Sequence, residues 1–138
     1  MMLYIGSDDA LPLVPWDKAA PGFHVAELSP DLNDVRHQFS VAHVYYSGSH
    51  DGCGCGFQLG EYPDFEDDDA PAKRESLRRL AEYLDQQLAA GRKLELFACW
   101  AGGETSPPTY HRRLHSEDFT AERFFFNDGE LSIVEQTA

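Results

Sequence analysis

The chain has no apolar run long enough to span a membrane or to serve as a signal peptide, and Met1 to Asp9 carry no basic leader. A cytoplasmic location without a membrane partner is therefore expected. Cysteine is scarce, with three in 138 residues, and an odd number does not build the disulfide framework of a small secreted domain, so the cysteines are expected as thiols. Cations are outnumbered: 11 Lys and Arg face 24 Asp and Glu, for a formal charge of −13. That balance opposes tight contact with a phosphate backbone, and nucleic acid is not an expected ligand. Internal repeats, a phosphate loop, a dinucleotide fingerprint and a nucleophile elbow are all missing. No stretch has the composition of a linker, so residues 1–138 are expected to form a single domain, large enough to bury a core without metal or disulfide.

What remains is concentrated in one place. Ser47-Gly-Ser-His-Asp-Gly-Cys-Gly-Cys-Gly-Phe57 holds two of the three cysteines between glycines, three residues after a histidine. Before it, Leu3 to Ile5 and Phe23 to Leu28 read as short strands, and Ser29-Pro30 as the cap and first position of a short helical turn. Alternation predicts a strand from Phe39 to Tyr46, with Phe39, Val41, His43 and Tyr45 on one face. Beyond the loop, Glu61 to Asp69 contain six acids. Asp69 is positioned to cap a helix, with Pro71 in its first turn, and the segment lacks the ligand rhythm of a calcium loop.

Leu77, Leu80, Ala81, Leu84 and Leu88 recur at the spacing of one helical face, and Gly91 follows as a stop. Leu94 to Trp100 reads as a buried, central strand. A Pro-containing loop follows from Ala101 to Pro108, and Asn127-Asp-Gly129 is a turn that predicts a terminal hairpin between Arg123 and Val134. The predicted fold class is α+β: a mainly antiparallel sheet with one principal amphipathic helix packed on one face and a C-terminal β-hairpin.

The chemistry on offer in the loop is soft. His50, Cys53 and Cys55 are thiolate and imidazole ligands suited to zinc, which would need a fourth from Cys99, His111 or His115. His111 and His115, four apart, would share a side if helical, but Arg112 and Arg113 stand where the zinc-protease motif needs its glutamate. A second reading makes Cys53 or Cys55 a nucleophile with His50 as base and Asp51 or another carboxylate orienting it. A third treats the glycines as backbone architecture, or as a nest for an anion. Tyr45, Tyr46, Phe57, Tyr62 and Phe65 line a pocket or belong to the core.

Three function classes follow. The first is a small binding domain that takes a metal ion or small ligand at the glycine/cysteine loop, without turnover. The second is a protein-interaction module of the inhibitor or immunity type, whose acidic segment faces a basic protein partner. The third is a thiol-dependent enzyme, with a pocket assembled from the loops after Tyr46 and Trp100.

Overall fold

The structure, a computed structural model, describes residues 1–60 and 67–136. Its strands are β1 (Met2–Ser7), β2 (His24–Glu27), β3 (His43–Gly48), β4 (Leu94–Cys99), β5 (Tyr110–His115) and β6 (Glu130–Glu135), with helices α1 (Ala70–Ala89) and α2 (Ser116–Phe119). They form a six-stranded sheet in the order β2-β3-β1-β4-β6-β5. Every neighbouring pair is antiparallel except β5 and β6. The fold class is α+β, with strands dominating. Among the described residues no helix is long and apolar enough to cross a membrane.

β1 and β4 take the centre because both of their faces are apolar. Leu3 and Ile5 stand opposite Ala98 and Leu96 on one face, and Tyr4 opposite Phe97 on the other. On the first face Leu77, Leu80, Ala81, Leu84 and Leu88 of α1 close the larger core, as the helical spacing predicts. α1 ends in a Schellman motif: Gly91 takes φ 86° and Arg92 N–H donates to the Gln87 carbonyl at 3.2 Å. A smaller core of Tyr4, Val35, Val44, Phe97 and Cys99 lies on the second face. A 3-10 helix, Pro30–Gln38, covers it, with Ser29 and Pro30 opening that helix as expected.

Two expectations need correction. The segment from Phe39 to Ala42 is not strand: Phe39 ends the 3-10 helix and packs edge-to-face on Phe97, so it lies on the opposite face from Tyr45. Covering the second face outweighs the local alternation. The Asn127-Asp-Gly129 turn is made, with Gly129 at φ 77°, but the residues before it do not pair with β6. Phe124 instead bridges to Leu59, and the C-terminal strand pair is β5 with β6, in parallel.

Glu130 explains how β5 is held there. It is 1 % exposed and accepts from Arg112 Nη2 at 2.8 Å, Ser132 Oγ at 3.0 Å and Asn127 Nδ2 at 2.8 Å. Arg112 also lies over the Phe124 ring, 5.0 Å from its centroid. A buried carboxylate survives only when its oxygens are this fully partnered.

Candidate metal site at the glycine loop

β3 delivers the chain into the loop, and Ser49, fully buried, organises it. Its Oγ donates to the Cys53 carbonyl at 2.6 Å and accepts from the N–H groups of Asp51 and Gly56 at 3.2 and 3.1 Å. This hub leaves no room at Gly56, where a Cβ would fall 2.2 Å from Ser49 Oγ. Gly52, at φ 84°, makes the reversal between His50 and Cys53. The glycines therefore serve a close-packed knot.

That reversal separates the residues that the sequence suggested as one ligand set. The His50 imidazole is directed to the start of α1: Nδ1 lies 2.8 Å from Ser76 Oγ, and Nε2 lies 2.8 Å from Asp69 Oδ2 and 3.5 Å from Asp51 Oδ1. Ser76 Oγ also accepts from the His50 backbone N–H at 3.2 Å. The thiols turn the other way, toward β1. Cys55 Sγ accepts from the Met1 amino group at 3.2 Å and Cys53 Sγ from the Cys55 N–H at 3.4 Å. Among the described residues, the group of three ligand atoms within 4.8 Å of one another is His50, Asp51 and Asp69. Neither Cys53 nor Cys55 joins it.

The other candidates lie elsewhere. Cys99 is buried on the second sheet face beside Phe97, and burial, with Glu104 and Asp128 nearby, pushes its thiol up to about 12. His111 and His115 are on β5 rather than a helix, so four residues place them roughly 13 Å apart. They cannot share one ion. The loops after Tyr46 and Trp100 do reach the same end of the sheet, because β3 and β4 both run antiparallel to β1. There Tyr46 donates to the Gly52 carbonyl at 2.5 Å and Tyr4 to Glu104 at 3.1 Å. Tyr45 and Phe57 are core residues, while Tyr62 and Phe65 lie outside the described residues. All three cysteines are free thiols.

Thiol catalysis finds little support in this arrangement. Both His50 ring nitrogens are engaged by Ser76 and Asp69, so the imidazole is not the base of either thiol. Burial holds the Cys53 thiol above its ordinary range, whereas a nucleophile needs the opposite shift. Ser76, His50 and Asp69 have the composition of a hydrolase triad, but Ser76 is 2 % exposed and its oxygen is turned into the loop. It positions the ring.

Of the acidic run, residues 61–66 lie outside the described residues, while Asp67 and Asp69 are engaged locally. Asp67 pairs with Lys73 at 2.8 Å, and its other oxygen accepts from the Asp69 N–H at 3.0 Å. Asp69 occupies the cap position expected for it, yet its side chain makes no cap bond, being turned to His50. The sequence reading missed this use of Asp69, and Ser76 altogether. A signal for Ser76 existed, since it stands four residues before Leu80 on the apolar stripe, where a hydroxyl needs a partner.

No protein family, no curated protein and no solved structure matches this chain. Its function is therefore argued from this geometry alone.

Proposed function

We propose that the chain is a binding protein for a divalent transition-metal ion, held by His50 Nε2 with carboxylate oxygens of Asp51 and Asp69. The observation that carries this reading is the convergence of those three atoms within 4.8 Å of one another around an imidazole whose other nitrogen is already fixed. A ligating histidine is normally oriented through its second nitrogen, and Ser76 Oγ is placed to accept from Nδ1–H and leave the Nε2 lone pair for the ion. One imidazole with two carboxylates suits zinc or manganese better than calcium, which takes oxygen alone. Both carboxylates are about half exposed, so water can complete the coordination.

The test is a thermal-shift series on metal-free protein with added Zn²⁺, Mn²⁺ or Ca²⁺. Zn²⁺ is expected to raise the melting temperature by several degrees, in line with mass-action stabilisation. The increase should disappear in Asp69→Asn, weaken in Asp51→Asn and survive a Cys53→Ser, Cys55→Ser double variant. It should also fade on acidification, because protons compete for the same ligands. No shift with any ion would sink the proposal. A zinc shift that survives Asp69→Asn but is lost with the cysteines would move the site to the thiols.

A further inference from the structure

The two edges of the sheet are finished differently. At β2 the outer edge is bridged at one residue pair, with Val14 N–H to the Val25 carbonyl at 3.0 Å and Val25 N–H to the Val14 carbonyl at 2.9 Å. At β5 no strand pairs the outer side among the described residues. Tyr110 N–H points inward, to the Gly129 carbonyl at 3.2 Å. By the alternation of a strand, Arg112 and Leu114 also face β6, while His111, Arg113 and His115 present their N–H and carbonyl groups outward. Asp118 Oδ2 caps the His115 N–H at 2.8 Å. Among the described residues, the open stretch is therefore His111 to Arg113.

The side chains of the same two residues line a cavity of about 460 Å³ on the second sheet face, beyond the cover of the 3-10 helix. Leu131 and Ile133 also line it, and Ile133 is 48 % exposed. Its acidic neighbours are Glu95, which lines the cavity, and Glu135, which forms a long ion pair with Arg113. Glu95 is hydrogen-bonded to the Ser40 N–H and hydroxyl, and Glu135 stands 3.8 Å from both Arg113 and His115, too far for a hydrogen bond. In a chain of net charge −13 with histidine counted neutral, an exposed arginine, Arg113, with the His111 imidazole beside it, over an apolar strip and next to strand groups that no described strand pairs, is a specific combination.

We propose that β5 docks an extended acidic peptide by strand addition, with acidic side chains toward His111 and Arg113 and an apolar one over Leu131 and Ile133. Main-chain bonds to the open groups of His111 and Arg113 would supply affinity, and the cavity would supply sequence preference. Charge on an edge also discourages promiscuous pairing, which makes an uncharged or basic strand a poor partner here.

The test is fluorescence anisotropy at low ionic strength with a labelled, capped Glu-Val-Glu-Val-Glu-Val peptide, a Lys-Val counterpart, and Glu-Val peptides N-methylated at alternate residues in each register. The first should bind and the second should not. N-methylation in the ladder-facing register should weaken binding at least about tenfold, as loss of strand hydrogen bonds requires. Arg113→Glu, at a side chain 76 % exposed, should weaken it about as much, with circular dichroism unchanged. No binding, equal binding of every N-methylated peptide, or indifference to Arg113→Glu would each overturn the proposal. So would self-association of the native chain that Arg113→Glu abolishes, which would give the edge to a second copy.

Discussion

The glycine loop and the β5 edge invert what their local chemistry suggests. A stretch with four glycines in nine residues, Gly48 to Gly56, reads as flexible, yet a buried serine hydroxyl ties it together and Gly48, Gly54 and Gly56 fit under neighbouring atoms. A regular strand reads as settled structure, yet among the described residues β5 is paired on one side only. What separates the two is where the hydrogen-bonding groups find partners, a property of the surroundings rather than of the segment.

The largest expected effect tests the attachment of the open edge. Glu130→Ala should cost about 3 kcal/mol in urea unfolding, because it strips a third-exposed Arg112 and two polar side chains of their buried acceptor. A cost below about 1 kcal/mol, the range of a surface ion pair, would mean that β5 is held by its ladder alone.

The loop is tested next by contrasting two of its own glycines. Gly56→Ala should cost about 2 to 3 kcal/mol, since its Cβ would collide with the Ser49 hub. Gly52→Ala meets open space and pays only for a positive φ, about 1 kcal/mol. Equal costs at the two sites would break the description of the loop as a knot.

A smaller effect concerns the acids before α1. The hydrogen bond from Lys73 holds the Asp67 carboxyl below the usual carboxylate range. Its contribution is thus fully present above the unfolded pKa and is lost as the pH falls through the lowered folded value. Asp67→Asn should cost no more than about 1 kcal/mol at neutral pH, and the difference from the native chain should close in acid. The smallest effect is none. Native Cys99, with its thiol pushed up to about 12, should not react with iodoacetamide at pH 8 until the protein unfolds. Prompt labelling in the folded state would place it outside the second core.

Much of the fold is legible in the residues themselves. The helical stripe from Leu77 to Leu88, the Gly91 stop, the central strand at Leu94 to Cys99 and the opening of the 3-10 helix by Ser29 and Pro30 follow from spacing and cap chemistry, which act within a few residues. The candidate site was legible only in part. His50 and Asp51 stand out in the loop, but Asp69 resembled a cap and Ser76 was one polar residue in a helix. Their meeting joins residues 19 and 26 positions from His50.

The sequence by itself determined the principal helix, the central strands and the charge, because propensity, periodicity and composition are local or additive. Only the tertiary structure decided the rest: that Phe39 turns to the second face, that Phe124 pairs with Leu59, that β5 joins in parallel at an open edge, and that His50 leaves the thiols for Asp69 and Ser76. Each of these depends on which buried polar group or apolar face remained without a partner once the sheet had closed, and no local pattern records that.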